Sequence, residues 1–172
     1  QFLEKKFSRA KKIPWVYTRK SKYDPKDKAG ALAVGSYYKM LIDGAGACLF
    51  GTQVGARLPL CEWMNAATGW NFSNDEYLMT GERIEQIRHA FNVREGLNPI
   101  KDFRPHPRVH GESLLKRGPL KGVKLDVDEM ALSYYSEMGW NPETGFPAFE
   151  RLKEIGLQEV IEVFYPNESN KI

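Results

Sequence analysis

The stretch AGALAVGSYYKMLIDGAGAC, Ala29 to Cys48, decides the fold class. Ala29, Leu32, Ala33, Tyr37, Met40 and Leu41 recur at the three- and four-residue spacing of one helical face. That pattern predicts an amphipathic helix of about 15 residues, ending near Asp43-Gly44. Beyond it, Gly44 and Gly46 let the backbone turn sharply or approach a neighbour closely. Spacing alone reads Asp43 to Cys48 as a glycine-rich break between two core helices, with Cys48 a small buried hydrophobe. A second reading is chemical: a carboxylate and a thiol, five residues apart across a turn, could face one ligand.

Working outward, the helical pattern repeats. A helix is expected within Ala47 to Val54, stopping at Gly55, and another opens at Leu58-Pro59 with Leu60, Trp63, Met64 and Ala67 inward and Gly69 as its end. Cys61 falls inside that helix and is assigned to packing. Ser73-Asn74-Asp75-Glu76 is a capping box opening a helix to about Arg94, with a break or kink expected near Thr80 because Gly81 weakens it. His89 on this helix reads as a surface or capping group. From Gly96 to Leu125, Pro99, Pro105, Pro107 and Pro119 exclude long regular structure. His106 and His110 stand there with Asp102 and Glu112, but Pro107 and Gly111 argue against the helix that their spacing would need to form a metal site. Asp126-Val127-Asp128-Glu129 caps a helix closed by Gly139, with Trp140 placed to pack back on its last turn. Pro147 opens a shorter helix through Phe149, Leu152 and Ile155 that Gly156 closes, Val160, Ile161, Val163 and Phe164 end the ordered part, and the tail after Pro166 is expected to fray. The class is therefore all-α: an irregular multi-helix domain with a long Pro/Gly-rich loop.

The 172 residues suffice for one domain with a real core, and 42% hydrophobic with 27% charged residues is ordinary for a globular chain. No run approaches the length of a membrane span, no signal peptide opens the chain, and two cysteines make no disulfide framework; a cytoplasmic setting is expected. Net charge is +3, but residues 1–28 hold ten Lys/Arg against three Asp/Glu. This basic leading segment interleaves Trp15, Tyr17 and Tyr23 with its charge, as single-strand binders do, or it is a solvated connector. A helical domain is expected over 29–165 and a tail over 166–172. The start at Gln1 rather than Met is read as a processed product or a fragment.

Several phrases occur in a fixed order: Asp43-Gly44-Ala45-Gly46-Ala47-Cys48, Ala67-Thr68-Gly69-Trp70, Gly81-Glu82-Arg83-Ile84 and Phe91-Asn92-Val93-Arg94-Glu95-Gly96. Asp102, Tyr134-Tyr135, Gly139-Trp140-Asn141, Thr144-Gly145-Phe146-Pro147 and Leu152-Lys153-Glu154-Ile155-Gly156-Leu157 follow. Together, over residues 25–157, they resemble the C-terminal region of the aldehyde ferredoxin oxidoreductases, enzymes carrying a tungsten or molybdenum bis-pterin cofactor. The resemblance implies that Asp43 hydrogen-bonds one pterin and that Cys48 is the fourth ligand of a [4Fe–4S] cluster. Ala47 stands where the family usually has leucine, and Phe103-Arg104-Pro105-His106 departs from the family's Leu-Pro-x-Arg.

The family's N-terminal pterin-binding β domain and the cysteine triplet that completes the cluster have no counterpart here. The resemblance therefore implies a C-terminal fragment, with no catalytic residue of its own, that alone holds neither cluster nor tungstopterin and is inactive. Its partners would be the missing N-terminal part and a ferredoxin-like electron carrier, and the parent would act on aldehydes or related acyl compounds. The alternative is a helical nucleic-acid or protein interaction module working through the basic arm.

Overall fold

The computed structural model describes residues 6–11, 28–54 and 58–169. Trp15, Tyr17, Tyr23, Gly55 and the last three residues lie outside the described residues. Those described form helices α1 (Ser8–Lys11), α2 (Ala29–Gly44), α3 (Leu49–Val54), α4 (Leu60–Thr68), α5 (Asn74–Arg94), α6 (Pro99–Asp102) and α7 (Pro107–His110). Then come α8 (Val127–Met138), α9 (Phe149–Glu154), α10 (Gln158–Phe164) and α11 (Pro166–Ser169). No strand longer than an isolated bridge occurs among the described residues, so the all-α expectation holds.

The centre of the fold is the α2–α5 pair, with α8 also lying against α2. The apolar face predicted for α2 is the one that buries: Ala33, Val34, Tyr37, Met40, Leu41 and Ile42 are all inside. From α5, Tyr77 and Leu78 meet them, and Tyr135, Met138 and Trp140 close the cluster from α8 and its end. Phe7 enters the same core from the N-terminal side. A smaller cluster of Leu152, Ile155, Leu157 and Ile161 organises α9 and α10.

α5 runs through Thr80 and Gly81 without the expected break. Gly81 has a different task. A Cβ there would lie 2.0 Å from the Tyr37 carbonyl oxygen, so the missing side chain lets α2 and α5 touch backbone to backbone. The helix tolerates the poor propensity because both its ends are secured. At the start, the Glu76 N–H donates to Ser73 Oγ (3.3 Å) while the Ser73 N–H donates to Glu76 Oε2 (2.7 Å), the predicted capping box.

The other end of α5 uses a device found four times. The N–H of Gly96 donates to the Val93 carbonyl and that of Leu97 to the Asn92 carbonyl, the Schellman pattern. The same pair of bonds ends α2 at Gly46-Ala47, α8 at Gly139-Trp140 and α9 at Gly156-Leu157. Each glycine has positive φ, and Trp140 and Leu157, which follow two of them, are buried. The Pro-rich segment after Gly96 contains only the short α6 and α7, consistent with its prolines, and the tail after Pro166 includes a helical turn, α11.

Candidate functional site

Asp43 sits in the last turn of α2, exposed, its carboxylate paired with Lys39 one turn earlier. The chain then reverses through the Schellman turn: Gly46 N–H bonds the Asp43 carbonyl and Ala47 N–H the Ile42 carbonyl, both at 3.0 Å. Gly46 has φ of +71°, which a residue with a Cβ adopts only under strain. Gly44 seats the turn, since a Cβ on it would meet Ile84 Cδ1 of α5 at 3.1 Å. Cys48 follows at the start of α3, where its carbonyl accepts from the Thr52 N–H at 3.0 Å.

Cys48 is exposed and its thiol is free. This corrects the reading of Cys48 as a small buried hydrophobe: the turn that ends α2 carries it outward. The structure thus brings the two sequence-predicted site residues to the surface of one short turn. Phe50, just beyond, is 75% exposed. Cys61 behaves as assigned. It is buried in the main core, and burial, reinforced by the neighbouring Glu62 charge, pushes its thiol up to about 11.

His89 is a correction. It is 5% exposed rather than at the surface, and its imidazole lies on the Trp140 indole with centroids 3.4 Å apart and planes 5° from parallel. Its Nε2 is 2.6 Å from the Gly145 carbonyl oxygen, which can only accept, so Nε2 carries the proton. Burial lowers the pKa of the ring, and the bond to Gly145 only partly opposes this. Beside it, Trp140 Nε1–H donates to Gln86 Oε1 (2.7 Å), and Gln86 Nε2 donates to the Met138 carbonyl (2.8 Å). Spacing could not reveal this network, because it joins α5 to the end of α8 and to the turn at Gly145, about fifty residues further along.

Glu82 is the second buried group that sequence reading left unassigned. At 1% exposure it accepts from Arg9 Nη1 (2.6 Å) and from Arg151 Nε and Nη2 (2.7 and 2.5 Å). Arg9 also lies over the Tyr37 ring at 5.0 Å, and the Tyr37 hydroxyl is pushed up by burial and then by the Glu82 charge. With Lys6 paired to Glu62 at 2.5 Å, two cations of the basic leading segment find their carboxylates within the chain. The loop histidines do not converge. His106 Nδ1 accepts from the Arg108 N–H, His110 Nε2 lies 3.7 Å from Glu112, and the Asp102 carboxylate accepts from the Asn98 N–H. Among the described residues no group of three or more His, Cys, Asp or Glu side chains is placed to hold a metal. No helix of the described residues is long and apolar enough to cross a membrane.

The family model described as aldehyde ferredoxin oxidoreductase, domains 2 and 3, matches residues 3–157. The tungsten-containing aldehyde ferredoxin oxidoreductase of Pyrococcus abyssi is 40% identical over 121 residues, covering 70% of this chain and 20% of the relative. The enzyme of the same description from Thermococcus kodakarensis is 36% identical over 144 residues, covering 81% and 24%. The chain thus spans about a fifth of the length of the curated relatives that it matches.

Proposed function

The chain belongs to the aldehyde ferredoxin oxidoreductase family, and from that premise we propose that it is the C-terminal helical part of a tungsten- or molybdenum-pterin, iron–sulfur oxidoreductase. The parent enzyme would act on aldehydes or related acyl compounds and deliver electrons to a ferredoxin-like carrier. Residues 29–165 form its helical domain in this reading. One observation carries it. Most of the ordered phrases that carry the resemblance supply caps, close approaches or buried pairs to the fold, and Asp43 and Cys48, a carboxylate and a thiol, present their side chains together at the surface of one turn.

These two groups suit the cofactors in donor chemistry. An exposed thiol can become a thiolate ligand, and small neighbours leave room for a cluster. Cys48 would supply one ligand of a [4Fe–4S] cluster and no more. Cys61, buried and hard to ionise, does not offer a second, so the remaining ligands would come from outside this chain. A cluster, when bound, passes single electrons at a potential set by its ligands, charge and exposure to solvent. The Asp43 carboxylate would accept hydrogen bonds from pterin N–H groups, and Lys39 holds it in position. The seat of the turn on Ile84 keeps both donors in fixed relation to α5.

The test is made on the parent enzyme. Cys48→Ser is expected to lower iron per polypeptide and alter the cluster's paramagnetic resonance spectrum, and Asp43→Ala to lower retained tungsten or molybdenum. Unchanged iron and spectrum in Cys48→Ser would refute the ligand assignment. The 172-residue chain alone is expected to bind neither group and to be inactive, and stoichiometric metal in it would refute the reading as one part of a larger site.

A further inference from the structure

Residues 111–124 form a closed loop whose shape is fixed by its own backbone. At the stem, Leu125 N–H donates to the His110 carbonyl at 2.8 Å. Gly111, with φ of +79°, lies so near Val123 that an added Cβ would be 2.3 Å from its carbonyl oxygen. Near the tip, Gly122 N–H donates to the Leu115 carbonyl and Lys121 N–H to the Gly118 carbonyl, both at 3.1 Å. A loop pinned in this manner usually packs its own side chains inward. Here every residue from Glu112 to Gly122 is exposed.

The exposed groups are of two kinds. Leu114, Leu115 and Leu120 are 54%, 52% and 45% exposed. Interspersed with them in the sequence are Lys116, Arg117, Lys121 and Lys124 against the single acid Glu112, for a net charge of +3 over the loop. Exposed leucines on a pinned backbone, interspersed with cations, have the composition of an interface, apolar contacts with charged neighbours.

The location of the loop limits what covers it. Its stem leads directly into Asp126, the cap of α8. The first half of α8 lies against the beginning of α2: Met130, Ala131 and Tyr134 share a groove with Ala29 and Leu32, and Tyr134 Oη is 3.2 Å from Ser36 Oγ. Cys48 lies past the other end of α2, a helix of 16 residues and so about 24 Å long. The loop and the Asp43–Cys48 turn therefore mark opposite ends of the same helix.

We propose that residues 111–124 are a docking loop for the portion of the parent polypeptide that this chain does not represent, so that the portion is engaged at both ends of α2. This rests on the reading of the chain as one part of a larger oxidoreductase. The family relatives have about four-fifths of their length outside the matched region, and a body of that size reaches across the 24 Å that a small carrier docked at Cys48 need not span. The facing surface is apolar at its centre and acidic at its rim.

The test uses the purified 172-residue chain titrated against the upstream portion of the Pyrococcus abyssi relative, expressed separately. The wild-type chain is expected to bind, with amide exchange over residues 112–122 slowed in the complex. Leu114→Glu combined with Leu115→Glu is expected to weaken binding at least about tenfold while leaving the chain's own thermal melting unchanged, since both side chains are exposed. Lys116→Glu combined with Lys121→Glu is expected to reduce the salt dependence of binding. If the wild-type chain binds but the leucine variant binds equally and the loop gains no protection, the docking assignment is overturned while the larger reading stands. If the wild-type chain does not bind, the larger reading falls and takes this one with it. Self-association of the chain alone, abolished by the leucine variant, would overturn the proposal by assigning the loop to a second copy.

Discussion

The imidazole of His89 lies flat on the indole of Trp140, with 3.4 Å between ring centroids, and hydrogen-bonds the Gly145 carbonyl at 2.6 Å. One side chain thereby fastens α5 both to the end of α8 and to the turn that follows it. Replacing His89 by alanine removes the stack and leaves a buried carbonyl unpaired. The expected loss is about 2 to 4 kcal/mol, read from urea unfolding.

The same residue gives stability a pH dependence of known sign. Burial lowers the folded-state pKa of His89 below its unfolded value, so the unfolded chain takes up a proton more readily. The contribution of the neutral ring is complete above the unfolded pKa of about 6.5 and is lost as pH falls through the folded one. Thermal melting followed between pH 7.5 and pH 5 is expected to show this decline in the wild type and a smaller one in His89→Gln.

Glu82 holds Arg9 and Arg151 together at 1% exposure. Glu82→Gln keeps the shape and removes the charge, leaving two guanidinium groups without their shared carboxylate. A loss of about 3 kcal/mol is expected. Arg9 is the more exposed of the two cations, so Arg9→Met is expected to cost less, and denaturant titration of both variants orders them.

Two glycines in helices should respond to alanine with opposite signs. At Gly81 the new Cβ meets the Tyr37 carbonyl oxygen at 2.0 Å, and the overlap outweighs the gain of about 1 kcal/mol in helix propensity. At Gly35 nothing lies within 4 Å, so propensity acts unopposed and Gly35→Ala is expected to stabilise by up to about 1 kcal/mol. Melting temperatures of the two variants decide the matter.

The cysteines are expected to separate by reactivity. Cys48 is exposed, whereas Cys61 is buried with its thiol pushed up to about 11. Iodoacetamide at pH 8 should label the native chain once, at Cys48, and reach Cys61 only after denaturation. Peptide mass mapping reads the result, and prompt native labelling of Cys61 would contradict the packing role given to it.

Much of this fold is legible because its signals are local. The capping box at Ser73-Glu76, the Asp126 cap and the glycines at 46, 139 and 156 each act within six residues, the range over which sequence spacing is informative. The outward position of Cys48 was not legible from spacing, which favoured burying it; only its place among the ordered phrases singled it out, together with Asp43. The places of His89, Gln86 and Glu82 were not legible. Their partners Gly145, Met138 and Arg151 lie 52 to 69 residues away, and no local pattern states which later segment will return to cover a helix. Gly81 was misread for a related reason. In isolation glycine weakens a helix, and only the approach of Tyr37 turns that weakness into a requirement.

The glycine contacts on α2 and α5 also have a mechanical result. The Tyr37 carbonyl lies against the bare backbone at Gly81, and seven residues further along α2 the end of the Ile84 side chain lies close to Gly44. Each helix thus offers the other a bare position at a different height, and the two close approaches favour one register of the pair. The turn that carries Cys48 therefore depends on the spacing within α2, and a gain or loss of one residue between Tyr37 and Gly44 would put it out of step with its seat.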